Sequence, residues 1–138
     1  MLFSSEGITI DADIPLSIQL TRPVGATYDL TAVEILLSVK IHQCSDLSIF
    51  ECSTGSPAQY QGLDGQQQTQ AVITTNVRTA DSLEGSVVLP KERTAKGLLK
   101  QYDQAHYTLW MVLPSPDLTI EIETNTCPIT RTSVDTRP

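Results

Sequence analysis

Hydrophobic and polar residues alternate over the longest regular stretch of this chain, residues 33–41. Apolar side chains occupy every second position there, namely Val33, Ile35, Leu37, Val39 and Ile41. Successive side chains of a strand leave opposite faces of the sheet, so this period of two predicts a half-buried antiparallel strand. Leu36 interrupts the polar side of the pattern, which indicates that part of the second face is covered as well.

A second strand pair is predicted nearer the C-terminus. Residues 106–113 carry apolar side chains on both faces, which is typical of a central strand covered on both sides. The sequence PSPD at 114–117 predicts a turn, because proline fixes φ and lacks an N–H. Residues 118–123 alternate again, so 106–123 should form an antiparallel pair.

Weaker strand signals complete the pattern at 8–10, 16–20, 47–51, 71–78 and 85–89. In all, about eight short strands separated by turns predict an all-β fold. We expect residues 1–123 to form a single domain, either an antiparallel β-sandwich or a small β-barrel. No strand–helix unit is repeated, which disfavours a parallel α/β sheet.

One segment has helical periodicity instead. Residues 91–104 follow Pro90, whose missing N–H is not needed in the first turn of a helix. Apolar side chains recur at spacings of three and four, and Arg93, Lys96 and Lys100 fall on the opposite side. The pattern predicts one short amphipathic helix near 91–104. Its cationic face is either an ordinary solvated surface or a docking surface for an acidic partner, another copy of this acidic chain included.

Two polar segments hold few apolar residues for a core. Residues 53–70 are rich in Gly, Gln and Ser and predict a long polar loop, and residues 124–138 predict an extended polar C-terminal arm. Such segments often become ordered on a neighbouring protein. The residues that we expect to contact a partner are Arg93, Lys96, Lys100, Tyr60, Ile129 and Val134.

Composition and charge narrow the range of partners. The 138 residues include 9 Lys and Arg against 16 Asp and Glu, a formal net charge of −7. Nucleic acid is disfavoured as a partner, because phosphate binding needs accumulated Lys and Arg. The most apolar run, residues 35–41, is far shorter than the about 20 residues that span a bilayer, so we expect no membrane partner. The N-terminal segment lacks a basic region followed by an apolar core, so we expect no signal peptide and synthesis in a reducing cytoplasm.

Cysteine and histidine side chains are the candidate metal ligands of this chain. The odd number of cysteines, Cys44, Cys52 and Cys127, fits a reducing compartment. Whether Cys44 and Cys52 form a disulfide stays open, since geometry decides it. His42 and Cys44 share one side of a strand, but their spacing is not that of a zinc knuckle. We therefore expect neither a metal nor a cofactor.

No sequence motif of a known reaction is present. The chain lacks a G-x-S-x-G elbow, a P-loop and a G-x-G-x-x-G that follows a strand, so no catalytic residue is predicted. The first hypothesis is a non-enzymatic structural protein that contacts other subunits. Small Thr- and Gln-rich β chains are typical of virion components, such as phage capsid decoration or head–tail joining proteins. The alternative is a β-sandwich module that binds a carbohydrate or small ligand, and the third hypothesis is a small metal-dependent enzyme.

Overall fold

The computed structural model describes residues 2–113 and 118–130. Within these ranges the chain is mostly β, which confirms the all-β prediction, and it contains more strands than the sequence pattern indicated. The elements are β1 (Ile8–Thr9), β2 (Ile14–Thr21), β3 (Glu34–Lys40), β4 (Phe50–Ser53), β5 (Gln59–Gln61), β6 (Gln67–Thr69), β7 (Ala71–Val72), β8 (Thr74–Arg78), β9 (Ser82–Leu89), α1 (Lys96–Leu99), β10 (Gln104–Leu113) and β11 (Leu118–Thr130).

The described strands form three sheets. The largest has six strands in the order β1-β11-β10-β3-β4-β7, the second has the order β2-β9-β8, and β5 and β6 form a separate two-stranded sheet. Strand β10 lies inside the large sheet and is antiparallel to both β3 and β11. The antiparallel pair predicted over 106–123 and the central position of 106–113 are therefore confirmed.

The large sheet and the three-stranded sheet contribute to one hydrophobic core. On β3 the alternate residues Ile35, Leu37 and Val39 are buried, as the period of two predicts. The three-stranded sheet adds the alternate residues Leu16, Ile18, Leu83, Val87 and Leu89 to the same cluster. Alternation thus determines which face of each sheet is buried in the core.

Strand β11 continues through the region predicted as a polar arm. Residues 124–130 belong to the strand, and β1 pairs in parallel with Ile129 and Thr130. The polar composition is misleading because a strand at this position needs apolar side chains on one face only, and Cys127 and Ile129 supply them. The rest of the predicted arm, residues 131–138, and the turn predicted at 114–117 lie outside the described residues.

The polar segment 53–70 contains a hairpin where a long loop was expected. Strands β5 and β6 pair from Gln59↔Thr69 to Gln61↔Gln67. The side chain of Gln70 accepts a hydrogen bond from the N–H of Ala58 at 3.1 Å and donates one to Glu51 at 3.1 Å. Backbone pairing, the amide hydrogen bonds of Gln70 and the buried ring of Tyr60 hold this segment, and one buried ring gives no apolar alternation that a sequence search would find.

The helix predicted near 91–104 is wrong in its extent, since only Lys96–Leu99 is helical. Residue Thr94 is fully buried, and its hydroxyl donates a hydrogen bond to the carbonyl of Ala12 at 2.7 Å. The N–H of Lys96 donates to the carboxylate of Asp11 at 2.9 Å. In a longer helix that N–H would bond to the carbonyl four residues earlier. Contacts with the turn at residues 11–13 therefore replace the first helical turns.

No helix of the described residues has the length and apolar character needed to cross a membrane.

Candidate interaction surface

The cations of the basic stretch do not share one helical face. Lys100 is exposed and Lys96 is half-buried, whereas Arg93 extends toward the β5–β6 hairpin. A Cβ placed on Gly62 of that hairpin would lie 3.3 Å from Nη1 of Arg93. This Nη1 atom is buried and has no hydrogen-bond partner among the described residues. Arg93 therefore lies outside the helix that was predicted to align it with Lys96 and Lys100.

The other predicted contact residues are mostly inside the protein. Tyr60 is 8% exposed and Ile129 is 5% exposed, so neither side chain contributes much to the described surface. Burial raises the pKa of Tyr60, and the positive charge of Arg93 acts in the opposite direction. Tyr60 and Arg93 are thus neighbours, which the sequence did not indicate. Val134 lies outside the described residues, and a role of these side chains in partner contact stays a prediction.

The three cysteines are free thiols. Cys44 is exposed, while Cys52 and Cys127 are buried. Burial raises the pKa of Cys52 and of Cys127 to about 12, so both thiols keep their protons at neutral pH. In residues 2–113 and 118–130, no three His, Cys, Asp or Glu side chains are arranged to hold a metal ion.

No strand of residues 2–113 and 118–130 pairs with the outer edge of β2. On its other side β2 pairs with β9 along its whole length, from Ile14↔Leu89 to Thr21↔Ser82. The N–H of Arg22 donates to the carbonyl of Asp81 at 2.9 Å, so the backbone of the even-numbered positions faces β9. The N–H and C=O groups of the odd-numbered positions, Ser17 and Gln19 among them, therefore face away from the sheet.

The side chains along β2 give this edge little protection. Pro15 has the same parity as Ser17 and lacks an N–H, which suits an edge position. Between Asp13 and Arg22 the strand carries no charged residue. Natural edge strands are usually guarded by charges, prolines, bulges or a covering segment. Pro15 guards the start of β2, whereas its central residues Ser17 and Gln19 are uncharged and pair with β9 without a bulge.

Strand β11 also has an outer edge, on the side away from β10, and this edge is protected. A bulge shifts its register so that Leu109 pairs with Glu123 and Trp110 pairs with Glu121. Glu123 lies on the side of the buried Leu109 and accepts a hydrogen bond from the hydroxyl of Tyr107. A bulge and an inward-pointing charge both disfavour the addition of another strand. We therefore regard β2 as the more accessible of the two edges.

A groove of about 430 Å³ lies between β2 and β11. Buried Ile18 and Leu109 form part of its lining, and its other lining residues are Leu2, Ser17, Gln19, Leu20, Ile122 and Glu123. Apolar surface next to unpaired backbone is the arrangement that binds an extended segment of another chain. The groove between β2 and β11, together with the open edge of β2, is hereafter called the β2 groove.

The β2 groove was not among the predicted sites. Alternation at 16–20 predicts the strand, but the consequence of having only uncharged residues at the exposed positions Ser17, Gln19 and Thr21 was not drawn from it. That absence of charge is the signal that was available. No protein-family model, no curated protein and no solved structure matches this chain.

Proposed function

We propose that this chain is a non-enzymatic structural protein that assembles with other protein subunits, copies of itself included, through the β2 groove. The observation that carries the proposal is the uncharged backbone edge at Ser17 and Gln19, which no other described strand pairs with, next to apolar surface from Ile18 and Leu109. Backbone hydrogen bonds from such an edge supply affinity, and the neighbouring apolar pockets supply specificity. An edge of this kind left uncovered on a monomer favours uncontrolled aggregation. Its occupation by a partner subunit removes that hazard.

The burial of Tyr60 supports the choice of assembly over the carbohydrate-binding alternative. Sugar recognition by stacking needs an accessible aromatic face, and this ring is 8% exposed. We also infer that the six-stranded and three-stranded sheets pack as a β-sandwich, since both contribute residues to one core.

We place the protein among virion components, of the capsid decoration or head–tail joining type, because small β subunits with open edges suit such assemblies. This is an analogy of architecture. The buried free thiols of Cys52 and Cys127 support synthesis in a reducing compartment before incorporation.

The test removes one backbone N–H from the open edge. Ser17→Pro deletes the outward-facing N–H of an exposed residue without touching a β2–β9 hydrogen bond, and Ser17→Ala is the matched control that keeps it. We expect sedimentation velocity to show concentration-dependent association of the unmodified chain and of Ser17→Ala, and a monomer for Ser17→Pro. Circular dichroism and a urea titration establish that Ser17→Pro is folded. Unchanged association of folded Ser17→Pro overturns the proposal. A monomeric unmodified chain at every concentration overturns self-assembly through the β2 groove and leaves a different subunit as its occupant.

A further inference from the structure

We propose that the segment bound in the β2 groove is residues 131–138 of a second copy of this chain, added along β2 as a strand. Thr132, Val134 and Thr136 would face the groove. The inference rests on the proposed function and names the partner at the same site.

The residues after β11 have the pattern of a strand. From Thr130 onward every second residue is β-branched, at Thr132, Val134 and Thr136, and the residues between them are polar. β-branched side chains pack well on a pleated surface, and alternation places them on one face.

The distance along β11 favours a second copy over the same copy. Glu123, at the groove, is about 23 Å from Thr130 along the strand at about 3.3 Å per residue. Eight residues reach at most about 29 Å when fully extended. Almost the whole segment would be used in returning to the groove, and β1 already occupies the edge next to Ile129 and Thr130. A segment from another copy can instead lie in the groove over its whole length.

The charges of the two surfaces are complementary. Glu123 lines the groove and no described lining residue is a cation. Glu84 on β9 is the register partner of Gln19, which lines the groove. The segment 131–138 carries Arg131 and Arg137 against the single acid Asp135. Opposite charges at a rim set orientation and speed association more than they add affinity.

Each copy carries one such segment and one groove, so a closed assembly can fill every groove. Reciprocal exchange between two copies gives a dimer, and exchange in one direction gives a ring or an open chain. In each case the arrangement covers the β2 edge of every subunit.

The experiment uses the full chain with Val134→Asp, and Val134→Ile as the matched control that stays apolar and β-branched. The measurements are sedimentation velocity and thermal unfolding. Loss of one buried valine corresponds to about 1.5 kcal/mol or more, so we expect association of Val134→Asp to weaken by roughly tenfold or more. Val134→Ile should associate like the unmodified chain. A peptide with the sequence of residues 130–138, added in excess, should dissociate the assembly, and the same peptide with Asp at 134 should not.

The outcomes separate this inference from the proposed function. If Val134→Asp and the peptide leave association unchanged while Ser17→Pro abolishes it, the groove is an interface but its occupant is not this segment. If Val134→Asp weakens association and Ser17→Pro does not, the segment binds elsewhere and both proposals fail. A full chain that stays monomeric overturns this inference but not assembly with a different subunit. Weakened association in both variants, with melting temperatures equal to that of the unmodified chain at concentrations where it is dissociated, is the result that we expect.

Discussion

The hydroxyl of Tyr107 donates a hydrogen bond to the carboxylate of Glu123 across the β10–β11 pair. The direct register partner of Tyr107 is Asn125, so the contact is diagonal and joins the core to the edge of the groove. The ring of Phe3 lies against Tyr107 with 5.2 Å between ring centroids. The backbone N–H of Leu2 lies 3.4 Å from both the phenol oxygen and the carboxylate. The N-terminal segment thus covers Tyr107. The hydroxyl of Tyr107 in turn provides a hydrogen bond to the inward-pointing carboxylate of Glu123.

We expect Tyr107→Phe to lower the free energy of unfolding by about 1–3 kcal/mol, because it leaves a partly buried carboxylate without its phenol donor. Urea titration followed by circular dichroism measures the loss. Tyr102→Phe is the control, since the described residues include no hydrogen-bond partner for the Tyr102 hydroxyl, and should change stability by less than about 0.5 kcal/mol. Equal effects of the two substitutions would contradict a special role for the Tyr107–Glu123 bond.

Alkaline pH should destabilise the fold. Burial raises the pKa of Cys52 and of Cys127 from 9.0 to about 12, and burial together with the hydrogen bond to Glu123 raises the pKa of Tyr107 from 10.0 to about 12. At a pH between the ordinary pKa and the raised pKa of such a group, the unfolded chain has lost a proton that the folded chain keeps. The folded state binds more protons there, so its stability falls as the pH rises. Below pH 9.0 this contribution is fully present.

The measurement is a series of urea titrations, in a reducing buffer, from neutral pH up to about pH 11, above the ordinary thiol and phenol pKa values. Cys127→Ala removes one of the groups and should flatten the decline in the free energy of unfolding, even if its stability at neutral pH is lower. A stability that stays constant across this range would show that these groups titrate alike in the folded and unfolded chain.

Strand positions could be predicted from the sequence because alternation reports directly on one buried face. The pattern at residues 33–41 located β3, and the continuously apolar stretch 106–113 located the inner strand β10. The helix prediction failed because a helical wheel contains no information on residues distant in the chain. Thr94 is held by Ala12, 82 positions away, and that bond outweighs a local preference for helix.

The candidate interaction surface could be predicted only in part. Charge clustering predicted a cationic face at Arg93, Lys96 and Lys100. Such a face requires a helix over all three residues, and the observed helix covers only Lys96–Leu99. The openness of the β2 edge depends on sheet order, in which β9 is the one described strand that pairs with β2. Sheet order is a long-range property that alternation along one strand does not encode.

Substitution of Gly7 should be far more damaging than substitution of Gly25. Both have a positive φ, 65° for Gly7 and 85° for Gly25, so alanine costs each about 1 kcal/mol of backbone strain. A Cβ on Gly7 would also lie 2.1 Å from the carbonyl oxygen of Pro128, whereas at Gly25 nothing lies within 4 Å. We expect Gly7→Ala to lose about 3 kcal/mol or more in a urea titration. Comparable losses for both variants would mean that β11 moves away from Gly7 easily.

Thr94 provides the sharpest test of why the helix is short. Its hydroxyl donates to the carbonyl of Ala12 at 2.7 Å, and the N–H of Ala12 donates back to it at 3.2 Å. Thr94→Val keeps the shape of this fully buried side chain but leaves both backbone groups of Ala12 unpaired. We expect a loss of about 1–3 kcal/mol in the free energy of unfolding. Thr94→Ser keeps the hydroxyl and loses only a methyl group, so its loss should be near 1 kcal/mol, about that of one buried CH₂. Valine should therefore be the worse replacement, although it is the closer match to threonine in volume. If Thr94→Val is more stable than Thr94→Ser, packing rather than the Ala12 hydrogen bonds fixes this turn.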